Sequence, residues 1–180
     1  FMKKAIHIGK DYQDAIELTL EDSRSSYLGR YAVLHSREVN KEALDTGDIF
    51  INDARVRASL DQDDTVSTTL NAASAIAKAA AINDASAHSN VAAFVNQTQL
   101  VSERDIAGGD LIQDNLLQIN GVTIVAQDVV LDDGTDVLVR SINLQVKRTG
   151  VVAKLSENSR LVLTAEDGRN IEIKTGGDAH

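Results

Sequence analysis

Between Ala15 and Leu20 apolar and polar residues alternate, with Ile16, Leu18 and Leu20 on one side and Glu17 and Thr19 on the other. A period of two predicts a half-buried strand. Ala5 to Ile8 forms a shorter apolar run, and Gly9 with the Asp residues of GKDYQD suits a turn between the two, so a hairpin is expected. From Glu21 to Gly47 the pattern weakens into a long connection with room for one short helical turn. It sharpens again in DIFINDARVRASL, where alternation on both sides of Asn52-Asp53 predicts two short strands joined by a tight turn. The next apolar periodicity is helical. In TTLNAASAIAKAAAIND, residues Ala72, Ala75, Ile76, Ala79, Ile82 and Asn83 fall along one side of a helix, and their small size predicts close approach to a sheet. VAAFVNQTQLVS then reads as strand, and Gly108-Gly109 as a break.

The second half follows the same order. LLQINGVTIV is a hairpin whose Asn120-Gly121 pair tolerates the positive φ angles of a type I′ turn. VLVRSINLQVKR carries Leu138, Ile142 and Val146 at intervals of four and predicts a second helix, ended by Thr149-Gly150. VVAKL, RLVLTA and NIEIK predict three strands, the last two joined through EDGR. Aligning the halves sets Ile51-Asn52 against Ile119-Asn120, Ile82-Asn83 against Ile142-Asn143, and Val91 and Ala93 against Val151 and Ala153. Val91 follows Ile82 by nine positions, and Val151 follows Ile142 by nine. The interval from hairpin to helix is eight residues longer in the first copy, an insertion around STTLNAAS. A repeated hairpin, helix and strand unit is the economical explanation; coincidence among common residues is the competing one.

Composition narrows the function classes. With 43% hydrophobic residues among 180, the chain has enough apolar material for one ordinary domain or two small ones. A formal net charge of -9 with no basic patch argues against nucleic acid and anionic lipid as partners. No apolar run approaches the roughly 18 to 20 residues of a membrane span, and the start lacks the order of a secretory signal. Cysteine is absent, which excludes disulfides and thiolate sites. Aromatic residues make up 3%, with no Trp, so stacking platforms for sugars or bases are disfavoured.

INGVTI, SIN, TGVVAKL and LVLTAEDGRNIEI, in this order and spacing, are similar to the hook IN motif of the central region of bacterial flagellins. DTVSTTLNAASAIAKAAAIND resembles the helical part of a first copy, and IHIGKDYQDAIELTLEDSRSSYLG resembles the hairpin that follows the N-terminal helical arm of flagellins. The first copy departs in two places: Asn52-Asp53 stands for Asn-Gly, and Ser89-Asn90 for the Thr-Gly before Val91. Neither end shows a sustained heptad pattern, so the helical arms through which flagellins polymerise are expected to lie outside this sequence.

The resemblance implies an exposed outer portion of a flagellar filament subunit serving motility. It implies export through the flagellar secretion apparatus, an extracellular location, and other flagellin subunits as partners in the full-length protein. The isolated segment is expected to be monomeric. The alternative is an adhesive or carbohydrate-binding surface module of a flagellar hook-associated protein.

The expected fold is α+β and strand-rich, with two related hairpin, helix and strand units, short antiparallel sheets and one helix in each. Residues 1-47 are expected to form the N-terminal hairpin and connection, 48-109 the first unit and 110-180 the second.

Potential sites are weighed against bland roles. Asp61, Asp63 and Asp64, and Asp132, Asp133 and Asp136, are two acidic runs, either of which would attract a divalent cation. Neither has the spacing of an EF-hand loop, and each precedes a helix, so capping is preferred. His7, His35, His88 and His180 are scattered and form no HExxH pattern. Ser23, Ser25 and Ser26 lack a GxSxG elbow; they are acceptable glycan acceptors, though nothing singles one out. Asn52 and Asn120 belong in turns, while Asn83 and Asn143 are placed to cap a helix end or bond a free carbonyl. No catalytic, metal or cofactor residues are assigned, no cofactor is expected, and an enzyme is disfavoured.

Overall fold

A computed structural model describes residues 3–7, 15–19, 32–36, 38–112 and 116–176. The chain divides into two units, residues 1–37 and 38–180. In the first, β1 (Lys3–His7) and β2 (Ala15–Thr19) pair antiparallel, with Lys3 opposite Thr19 and His7 opposite Ala15. The hairpin predicted by alternation is therefore present; Ile8, Leu20 and the connecting GKDYQD turn up to Asp14 lie outside the described residues.

The second unit opens with β3 (Phe50–Ile51) and β4 (Ala54–Arg55). Asn52 (φ 48°) and Asp53 (φ 63°) make the turn between them, both left-handed as a two-residue hairpin with the strands' own twist requires. A 3-10 turn over Asp61–Asp63 follows, then a loop, a second 3-10 turn over Asn71–Ala73, and helix α1 (Ala75–Asp84). Ser74 caps α1 by accepting the Ala77 N–H at 3.1 Å, satisfying one of the orphan donors of its first turn. A one-turn helix, α2 (Ser86–Ser89), ends where Asn90 turns left-handed (φ 54°).

The row that α1 buries differs from the expected one. Ala73, Ala77 and Ala81 lie inside, while Ala72, Ala75, Ile76, Ala79 and Ile82 are half-buried and Asn83 is exposed. The helix packs chiefly on the two 3-10 turns and not across a sheet. Backbone so close leaves room for methyl groups and none for the larger Ile side chains.

β5 (Thr98–Val101) supplies only the end of the strand predicted from Val91. β6 (Gly109–Leu111) begins where the glycine pair predicted a break. The hairpin of β7 (Leu117–Ile119) and β8 (Val122–Ile124) turns on Asn120 (φ 48°) and Gly121 (φ 75°), as its Asn-Gly pair requires. β9 (Ala126–Val129) pairs with β6 through a register shift, a pairing that no alternation in the sequence announced.

A 3-10 turn over Leu131–Asp133 leads into α3 (Val137–Asn143). The single predicted helix is in fact two, because the chain breaks at Gln145 before α4 (Val146–Thr149), which Gly150 (φ 71°) ends. Leu138 and Ile142 are buried as their spacing predicted.

β10 (Val152–Leu155) and β11 (Leu161–Ala165) pair antiparallel, and β5 joins the other edge of β11. β12 (Ile173–Thr175) leaves this sheet and pairs with β7. Asp167-Gly168 does turn, with Gly168 at φ 77°, but it carries the chain from one three-stranded sheet to another and closes no hairpin. The resulting α+β fold has its apolar core between α3 and these sheets, around Ile119, Ile124, Ile142, Val151 and Leu163. Each is at most 2% exposed and contributes about 1.5 to 3 kcal/mol of burial.

Candidate functional site

The repeat is most exact in its polar side chains. Asn52 Nδ2 donates to the Ser89 carbonyl at 2.8 Å, and Asn120 Nδ2 donates to the Thr149 carbonyl at 2.7 Å. Each asparagine thus ties its hairpin turn to the last residue of a one-turn helix 37 or 29 residues onward. At that residue Ser89 Oγ accepts the Val91 N–H at 3.2 Å, and Thr149 Oγ1 accepts the Val151 N–H at 3.1 Å. Both hydroxyl residues are fully buried. At the helix end, Asn83 exchanges two hydrogen bonds with the backbone of Ala93, and Asn143 exchanges two with Ala153. The two departures of the first copy leave this geometry intact, since Asp53 and Asn90 take up the left-handed backbone that Gly121 and Gly150 occupy in the second.

The acidic runs bond to the chain itself. Asp133 is buried and accepts the N–H groups of Leu138 at 3.0 Å and Val139 at 2.9 Å, using both oxygens to complete the first turn of α3. Asp61 Oδ1 accepts the Ala72 N–H at 2.9 Å, tying the two 3-10 turns together. Asp63 receives two guanidinium bonds from Arg57, at 2.7 and 2.9 Å, and the Leu60 N–H. Those Arg57 bonds hold its carboxyl below the usual carboxylate range. Asp64 is buried, with Oδ1 accepting from Val66 and Ser67, both at 2.9 Å. Burial pushes its carboxyl up, but hydrogen bonds from Ser67 and Val66 help hold it below its ordinary value. Its Oδ2 has no partner among the described residues. Asp132, in the preceding 3-10 turn, and Asp136, immediately before α3, both have left-handed backbone. Among the described residues no group of His, Asp and Glu side chains is arranged to hold a metal ion.

His35 and His88 are exposed, the His7 side chain and His180 lie outside the described residues, and so do Ser23, Ser25 and Ser26. One concavity of about 460 Å³ lies between the β3–β4 turn and α1, lined among others by Asn52, Arg55, Arg57, Asp84 and His88. Arg57 is bonded there to Asp84 as well as to Asp63, so the groove is a charge-paired surface. No serine, threonine or tyrosine hydroxyl lines it.

Sequence patterns did not announce the clasp made by Asn170. Its N–H donates to Ser67 Oγ at 2.9 Å and its Nδ2 donates to the Thr69 carbonyl at 2.9 Å. These partners lie in the eight-residue insertion of the first copy, so the extra loop is the surface on which the end of the second copy is fastened. Beside it Arg169 is paired with Asp167 at 2.6 Å, and these bonds hold the Asp167 carboxyl below its ordinary range. The one available signal was the insertion itself.

Repeated small units, each locked by asparagine and hydroxyl side chains and bonded inward, define a structural module. Residues 117–167 match the flagellin hook IN motif, and the match supports a flagellin-type protein. Flagellins are structural proteins whose subunits polymerise in the flagellar filament.

Proposed function

We propose that this chain is the surface-exposed outer region of a flagellin and serves motility as part of the filament wall, outside the cell, after export through the flagellar secretion apparatus. Its work is mechanical and chemical display, without catalysis. The observation that carries this is the use of the polar side chains: matching hydrogen bonds from Asn52 and Asn120, and from Asn83 and Asn143, join turn to helix and helix to strand, and so fix shape. An acidic surface with a net charge of -9 suits a segment facing the medium, because like charge keeps neighbouring surfaces from adhering. On this reading residues 48-109 and 110-180 are two copies of one hook IN-like unit, following an N-terminal hairpin and connection over 1-47.

The absence of cysteine makes the test direct. Lys147→Cys, at an exposed position on α4, introduced into the full-length gene in its own host, provides the one thiol of this segment for an impermeant maleimide dye, with the unsubstituted strain as the labelling control. Live cells are expected to show label along whole filaments. Label confined to the hook junction or filament tip would favour the adhesive, hook-associated alternative, and label on no extracellular structure would overturn both.

A further inference from the structure

One edge of the second hairpin is sealed, and the equivalent edge of the first is not. Asn120 donates its backbone N–H to the Glu172 carbonyl at 2.9 Å and accepts the Glu172 N–H on Oδ1 at 2.8 Å. From this two-point clamp β12 runs on along β7, with Ile173 opposite Ile119 and Thr175 opposite Leu117. Ile119 is consequently 0% exposed and Asn120 5%.

Asn52 is oriented in the same way, by the bond from Nδ2 to Ser89. Its backbone N–H and Oδ1 therefore point where those of Asn120 do. Yet β3 and β4 form a sheet of two strands, and among the described residues nothing bonds that N–H, that Oδ1 or the outward N–H and carbonyl of Phe50. Ile51 is only half-buried, Asn52 is exposed, and Phe50 is 63% exposed. An unpaired edge with a fixed amide clamp at one end is the arrangement by which proteins add an extended peptide as an extra strand.

We propose that the β3 edge, with Asn52 as its clamp, is an acceptor site for an extended peptide segment that adds antiparallel, as Ile173–Thr175 adds to β7. Register sets the chemistry of the segment. The residue facing Asn52 supplies an N–H and a carbonyl. The next stands opposite the half-buried Ile51, as Ile173, itself 39% exposed, stands opposite Ile119, and an apolar side chain there would cover Ile51. The one after stands opposite Phe50, whose partner across the hairpin is Arg55, where the second copy has Gln118 and Thr123. An acidic residue fits there in place of Lys174.

The probe is a synthetic peptide with the sequence of residues 169–176 carrying Lys174→Glu, added to the isotopically labelled 180-residue chain. The amides of Phe50 and Asn52 are expected to shift saturably and to exchange more slowly with solvent. Methylating the peptide nitrogen that corresponds to Glu172 removes the donor to Asn52 Oδ1 and is expected to weaken binding about tenfold, while leaving the protein untouched. Shifts centred on Gln118 and Asn120, or equal affinity of the methylated peptide, would overturn the proposal. So would Phe50 and Asn52 amides already protected in the free protein: concentration-dependent protection would make a second copy the occupant, and concentration-independent protection a segment of the same chain.

Discussion

Asn143 and Ala153 are joined at both ends of one carboxamide: Nδ2 donates to the Ala153 carbonyl at 2.9 Å, and Oδ1 accepts the Ala153 N–H at 2.8 Å. A side chain at the end of α3 thereby substitutes for a neighbouring strand and starts β10 at a fixed distance from the helix. Asn83 and Ala93 repeat the relationship at 3.0 and 2.7 Å in a more exposed setting.

The two clamps predict unequal losses. Asn143→Ala removes two hydrogen bonds beside the buried Ala153 and is expected to cost about 2 to 3 kcal/mol. Asn83→Ala, where water replaces the lost partner, is expected to cost about 1 kcal/mol or less. Urea denaturation of both variants measures the difference, and equal losses would remove the distinction by burial.

A turn substitution has the opposite sign. Asp53 holds φ 63° in the position that Gly121 takes in the second hairpin. Asp53→Gly relieves the left-handed strain of a residue with a Cβ and is expected to stabilise by about 0.5 kcal/mol, the unfolded chain's gain in freedom offsetting part of the relief. A rise in the thermal midpoint checks it.

Acid sensitivity follows from the depressed carboxylates. The guanidinium of Arg57 beside Asp63, and that of Arg169 beside Asp167, lower both folded pKa values below the unfolded ones. Each pair's contribution is therefore complete above the unfolded carboxylate value of about 3.9 and is lost as pH falls through the folded value. Arg57→Met is expected to flatten the dependence of stability on pH below about 4 and to leave the slope above about 5 unchanged. Chemical denaturation across that range measures it.

Calcium provides a further check. Both Asp133 oxygens already accept backbone N–H groups, and Asp63 is occupied by Arg57 and Leu60. Millimolar calcium and its removal by chelator are both expected to leave the thermal midpoint unchanged. A calcium-dependent rise would show that the acidic runs bind a cation and do not serve the helix starts alone.

Much of this architecture was legible because the information is local. Asn-Gly and Asn-Asp marked the hairpins, Leu138 and Ile142 marked the buried side of α3, and the matched Ile-Asn pairs revealed the repeat. The inward row of α1 was not legible. A face can be chosen by periodicity only when its apolar residues outnumber those beside it, and α1 is alanine and isoleucine nearly all round. Whether Ala77 or Ile76 turns inward depends on how closely the 3-10 turns approach, a tertiary quantity. The pairing of β6 with β9 was hidden by its register shift, which interrupts alternation. The Asn170 clasp was hidden by distance, its backbone bond joining partners 103 positions apart. Of the polar candidates, the four asparagines were assigned structural places that the hydrogen bonds fill, while the ion pairs of Arg57 depend on the tertiary approach of Asp63 and Asp84.

The return of the chain's last segment has a consequence for the order of assembly. β5 has no strand beside it until β11 arrives, the β7 edge stays open until β12 arrives, and the insertion loop waits for Asn170. Contacts of such long separation form late and slowly. A polypeptide threaded lengthwise through a narrow passage would leave these partnerships unmade while its ends were on opposite sides, and would complete them only when the final stretch rejoined the rest. In such a passage this connectivity would delay closure until both ends of residues 38–176 lay on the same side.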